Sequence, residues 1–185
     1  MKKNYICSMK INILCLGESI ANYKPDGNIT IGVNDIFKLH PVDYLVVIDP
    51  PSRFAKDRLL TILNSKPRKF YSHYYNEWRP LVQNLQQLNL SSGYNFFKLD
   101  EQDTCLHSNN SAFVACVLAY KMGATEIVLY GADFNTHPNF HEQSIKTAIQ
   151  HFKELYNQFK KRDVKLFVGS TRSRLYDVLP LFNGN

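Results

Sequence analysis

Apolar residues run along this chain in short unbroken blocks, separated by glycine, proline and small polar residues. "INILCLG" (Ile11–Gly17) shows no alternation and stops at a glycine, the pattern of a strand buried on both faces. "NITIGVND" (Asn28–Asp35) and "VDYLVVIDP" (Val42–Pro50) read as a second and third strand, with "KFYSHYY" as a shorter one. After Pro51, which is placed to start a helix, "SRFAKDRLLTIL" repeats Phe54, Leu59, Leu60 and Ile62 at helical spacing. "NEWRPLVQNLQQL" predicts a weaker helix disturbed by Pro80, and "YNFFKLD" (Tyr94–Asp100) predicts another strand.

The second half is patterned more strongly. "SNNSAFVACVLAYKMG" opens on cap-forming residues, closes at Gly123 and is apolar all round, so it predicts a fully buried helix. "EIVLYG" (Glu126–Gly131) is the next strand. From Glu142, the residues Ile145, Ile149, Phe152, Tyr156 and Phe159 recur at intervals of three and four, an amphipathic helix that closes on Lys160, Lys161 and Arg162. "VKLFVGS" is the last strand, and "RLYDVLPLF" follows it.

Strands alternating with helices imply one α/β domain, Rossmann-like, with an open, mainly parallel sheet and helices on both faces. Its unbroken apolar runs put "INILCLG" and "EIVLYG" among the central strands. The regular pattern begins at Met9, so residues 1–8 read as a tail and 9–185 as the domain. Such sheets bind ligands beyond the C-terminal ends of their strands. That rule singles out Gly17–Ser19, Asn34–Asp35, Asp49, Gly131–Phe134 and Ser170–Ser173.

Composition narrows the function classes. Hydrophobic residues at 44% and charged residues at 21% are globular values. The net charge of +6 suits a phosphate-bearing ligand, but no nucleic-acid recognition motif accompanies it. The four cysteines form no CxxC pair and read as thiols of a reducing compartment. No run is long enough to span a membrane, and Lys10 interrupts any secretory core, so the expected location is cytoplasmic.

The candidate chemistry lies at the strand ends. "LGES" places Gly17 and Ser19 after the first strand, where glycine admits a ligand to the backbone amides and serine can cap a helix or meet phosphate. In "GVND", Asn34 offers both donor and acceptor to a base or ribose. In "HSNNSA", Asn110 and Ser111 open the buried helix, whose free amides suit an anion or ribose. "GADF" presents Gly131 and Asp133, and "GSTRSR" offers Ser170, Arg172 and Ser173 for a phosphate. Asp133, His137 and His141 have a zinc-like spacing, but Pro138 keeps the two histidines off one helical face, so no metal site is expected. His141, just before the long helix, is placed to act as a general base.

"NSAFVACVLAYKMGATEIVLYGADF" (Asn110–Phe134) resembles the core of the bacterial family 42 sialyltransferases, with Ser111, Gly123, Gly131, Asp133 and Phe134 on matching residues. "LGES" looks like a degraded form of that family's glycine-rich first turn, and Asn34 matches its second-strand asparagine. The MptE-like pterin diphosphokinases share a similar outline. The sialyltransferase resemblance implies that these turns hold a nucleotide sugar, CMP-linked in that family. It also implies that a histidine at the position of His141 deprotonates the acceptor hydroxyl, without metal or other cofactor. The sequence departs from the family at Leu16, which stands where an asparagine is expected, and no tyrosine lies between Asp133 and His141. The chain also reads as much shorter, leaving little room for the lid that shields donor sugars.

The resulting expectation is a metal-independent, nucleotide-sugar-dependent glycosyltransferase acting on a glycan or other hydroxyl acceptor. Two alternatives stay open. One is a diphosphokinase-like phosphoryl transferase, which would need Mg²⁺ held by Asp133 or Asp49. The other is a nucleotide-binding module without catalysis.

Overall fold

The computed structural model of the chain describes residues 8–92, 95–135 and 141–184. Its strands are β1 (Lys10–Leu14), β2 (Ile29–Val33), β3 (Tyr44–Val46), β4 (Lys69–Ser72), β5 (Leu85–Gln87), β6 (Leu90–Ser92), β7 (Cys105–His107), β8 (Glu126–Tyr130) and β9 (Lys165–Val168). Its helices are α1 (Lys56–Asn64), α2 (Tyr75–Trp78), α3 (Ser111–Lys121) and α4 (Glu142–Lys160). Among the described residues, seven strands form one parallel sheet in the order β5-β4-β3-β2-β1-β8-β9, and β6 and β7 pair separately. The domain is α/β with the Rossmann-like organisation expected. β1 and β8 pair with each other, and neither is an edge strand.

Alternate residues of the strands face two separate cores, as the pleat requires. Ile11, Ile13, Ile31, Val33, Ile127 and Leu129 pack with α3 and α4, around Phe113, Phe152 and Phe159. Leu14, Leu45, Val47, Phe70, Val128 and Tyr130 face the other way, toward Phe54, Ile62 and Trp78. Helix α3 is buried from Ala112 to Ala119, and its alanines let it lie close against the sheet. Asn110 caps it by accepting the Phe113 amide at 3.1 Å, and Gly123, at φ +91, ends it.

Three local expectations are corrected. The segment 76–88 is not one helix: α2 stops at Trp78, and Leu85–Gln87 joins β4 as an edge strand. Pro80 lacks the amide needed to continue the helix. The described part of Tyr94–Asp100 is a 3-10 turn at Phe96–Lys98 and not a strand. Its anchors, Phe96 and Leu99, are three residues apart, which is a helical and not an alternating period. Pro51 opens a 3-10 turn (Pro51–Arg53), and α1 begins only at Lys56. At the start of the domain, Ser8 already meets the Thr125 hydroxyl at 3.2 Å.

The chain runs outward from β1 to β5 and returns to β8 on the other side of β1. The topological switch therefore lies between β1 and β8, at the edge where a ligand is expected.

Candidate functional site

The turns after β1 and β8 are bonded to each other at this switch. The Gly17 amide donates to the Gly131 carbonyl at 2.8 Å. Asp133 accepts the Ser19 amide at 2.8 Å and also accepts the Ser19 hydroxyl, which in turn accepts the Gly131 amide at 3.2 Å. A β-carbon on Gly17 would lie 2.6 Å from both the Asp133 carboxylate and the Gly131 carbonyl, so the close approach requires glycine there. Gly131, at φ +69, would place a β-carbon 2.4 Å from the Cys15 carbonyl. Ser19 and Asp133 are both buried and serve as struts between the two turns.

Asn34 and Ser111 form a second pair. Asn34 ends β2 at φ +52, and its carboxamide oxygen faces the Ser111 hydroxyl at 3.5 Å. The first amides of α3 have no carbonyl one turn earlier in the helix, and that of Phe113 is taken by the Asn110 side chain. Asn110, expected beside them as a ligand contact, spends its side-chain carbonyl on the helix cap.

The loop after β9 packs on the same edge. Ser173 donates to the Ala132 carbonyl at 2.6 Å and accepts the Leu175 amide, while Ser170 accepts the Arg172 amide. Both serines are buried, whereas the Arg172 side chain is exposed. The Arg174 amide donates to the Asp133 carbonyl at 2.9 Å. Its guanidinium forks onto the Glu142 carboxylate at 2.9 and 2.8 Å, tying this loop to the first turn of α4. That clamp is absent from the sequence expectations, because neither residue lies in a motif shared with the other. His141 is the N-cap residue of α4, with an exposed side chain that makes no capping bond. His137 lies outside the described residues.

The structure thus brings Gly17, Ser19, Gly131 and Asp133 into one bonded cluster, with Asn34 and Ser111 as a pair at the same edge of the sheet. None of these residues lines the cavity of about 620 Å³ found beside α4. The buried thiols are poorly suited to nucleophilic work. Burial raises the pKa of the Cys15 and Cys116 thiols and pushes that of Cys105 up to about 12. Burial, reinforced by the neighbouring His73, holds His107 below its ordinary value. Among the described residues, no group of three or more His, Cys, Asp or Glu side chains is arranged to hold a metal ion.

With this geometry in place, the comparisons bear on the fold. No protein-family model matches the sequence, and no curated protein does. Solved structures do match. The sialyltransferase CstII from Campylobacter jejuni, in complex with the substrate analogue CMP-3FNeuAc, is 17% identical with a TM-score of 0.57, over 94% of this chain and 85% of that one. A variant of CST-II in complex with CMP gives 15% and 0.58, over 95% and 88%. CST-II with a trisaccharide acceptor and CMP gives 16% and 0.55, over 95% and 88%. The fold is sialyltransferase-like. At this coverage, the shortfall in length is small.

Proposed function

We propose that the chain is a nucleotide-sugar-dependent glycosyltransferase that takes a CMP-linked donor and transfers its sugar to a hydroxyl of a glycan. One observation carries this reading: the described fold matches sialyltransferase structures holding CMP, and its own polar strand-end residues gather at the topological switch. Asn34 makes only a long contact with Ser111 and keeps hydrogen-bonding capacity for a base or ribose. In this reading Gly17, Ser19, Gly131 and Asp133 act through the backbone amides that their mutual bonds hold in place. Ser111 and the first turn of α3 meet the ribose or phosphate, and Arg172 supplies the exposed cation. His141 takes the acceptor proton, and Glu142 with Arg174 fixes the helix end that carries it. No described helix is long and apolar enough to cross a membrane.

The test is a thermal-shift series with CMP, other nucleotides and CMP-linked sugars, with Mg²⁺ and with EDTA. CMP at a hundredfold its Kd adds ~2.7 kcal/mol, a rise on the order of 5–10 °C for a chain this long. Transfer in wild type should survive EDTA. His141→Ala should lower it by roughly 10²–10⁴-fold while CMP affinity changes less than about threefold. If no nucleotide moves the melting temperature, the reading fails. Binding of CMP without any donor turnover would leave a nucleotide-binding module, and a Mg²⁺ requirement would favour phosphoryl transfer.

A further inference from the structure

Beside α4 lies a recess that none of the residues of the candidate site lines. Its volume is about 620 Å³, inside the ~300–1,000 Å³ range of small-ligand sites. One wall is a face of α4 carrying Gln143, Thr147, Gln150 and His151, residues at helical intervals, and Lys146 and Glu154 add one charge of each sign. The other wall is the 3-10 turn, with Phe96 and Phe97. Phe96 is anchored edge-on against Phe113, their ring centroids 6.4 Å apart. Phe97 is 76% exposed, more than any other large apolar side chain among the described residues. A phenyl ring left in water loses the hydrophobic stabilisation it would gain in the core. The facing wall offers two carboxamides and a hydroxyl, alongside His151 and the Lys146 and Glu154 charges.

Aromatic surface facing neutral amides matches one ligand chemistry well. A sugar ring has a face of C–H bonds that lies on an aromatic ring, and a rim of hydroxyls that both donate and accept hydrogen bonds. Gln143 and Gln150 can do both in return. From Gln143 to Glu154 the groove follows α4 for about 16 Å, at 1.5 Å per residue, which is long for a monosaccharide and suited to a short oligosaccharide. Its Gln143 end lies in the first turn of α4, two residues from His141.

We infer that this recess is an oligosaccharide-binding groove that seats the acceptor glycan, with Phe97 as its stacking platform and its acceptor end toward His141. The assignment as acceptor site rests on the glycosyltransferase reading, but glycan binding is measured apart from it. The full chain, fluorescently labelled, is applied to a printed array of neutral and acidic oligosaccharides. Phe97→Ala, Phe97→Trp and Gln150→Ala are applied in parallel. Each variant is also titrated with CMP, and its fold is checked by circular dichroism; the exposure of Phe97 makes misfolding of its variants a minor concern. Wild type should bind a defined set of oligosaccharides. Phe97→Ala should weaken that binding at least tenfold, Gln150→Ala should weaken it by a smaller factor, and Phe97→Trp should retain it, all with unchanged CMP affinity. The groove assignment is overturned if no oligosaccharide binds to wild type that binds CMP, or if Phe97→Ala binds the same glycans equally well. Glycan binding lost in Phe97→Ala, in a protein that never binds CMP, would sustain the groove and sink the transferase reading instead.

Discussion

Asp133 shows what one residue contributes at this edge of the sheet. A strand ending in glycine, followed by an acid, is visible in "EIVLYGADF", but the acid's partner is not. Ser19 lies 114 positions earlier in the chain, and no local rule joins them. The carboxylate accepts both the amide and the hydroxyl of Ser19 while almost fully buried. Removing it leaves those donors unpaired, and hydrogen bonds to a charged group are worth more than neutral ones. Asp133→Ala should therefore lower unfolding free energy by about 2–3 kcal/mol in urea titration. Gly17→Ala should also destabilise, although its φ of −69 suits any residue, because the added methyl meets the same carboxylate. Stability within about 0.5 kcal/mol of wild type for Asp133→Ala would mean that Ser19 finds other partners at no cost.

At the scale of elements, segments with an apolar run or helical stripe were legible, β3, β4 and β9 among them despite their length, and β5, β6 and β7 were not. β1, β2, β8, α3 and α4 carry unbroken apolar runs or a sustained helical stripe, and they fold as the pattern implies. β5, β6 and β7 have three residues each, too few to show a period, and their pairing depends on neighbours distant in the chain. The strand-end rule picked residues that gather at one edge because the strands of a parallel sheet all end on the same side. It could not say which polar side chains would be consumed by packing, as Ser170 and Ser173 are. Asp35 is a further case. It resembles a helix cap in "GVND", but it makes no capping bond and binds across elements. Its buried carboxylate accepts Arg58 of α1 at 2.7 Å and faces the Lys38 ammonium at 2.9 Å. Burial alone would raise its pKa, but bonding to Arg58 and Lys38 outweighs burial and holds it below the ordinary 3.8. A depressed folded-state pKa gives stability that is present above the unfolded value and lost as pH falls through the folded one. Wild type should therefore lose stability on acidification below about pH 4, and Asp35→Asn should lose less over that interval while starting roughly 1–3 kcal/mol lower at pH 7. The two cations are partly exposed and can regain water, which limits that starting loss. Parallel pH profiles for the two proteins would refute the assignment.

The whole molecule joins two cores through one sheet. Strands β1, β3 and β8 contribute alternate residues to both, so neither core can open without breaking strand contacts that the other needs. The only tryptophan, Trp78, is fully buried in the core containing α1, whereas most of the helix lies in α3 and α4 on the other face. Tryptophan fluorescence and far-ultraviolet circular dichroism therefore report on opposite sides of the sheet. If the sheet couples them, thermal or urea unfolding should give coincident midpoints by the two probes, as for a single cooperative domain. A ligand bound at the β1–β8 switch adds a sharper form of the test. Gly17 follows β1, which feeds both cores, so CMP should raise both midpoints by the same amount. Separate midpoints in the free protein would show that the Trp78 face unfolds independently. A CMP shift confined to the dichroism signal would place the ligand's stabilising contacts on the α3–α4 face alone and leave the switch between β1 and β8 outside the binding site.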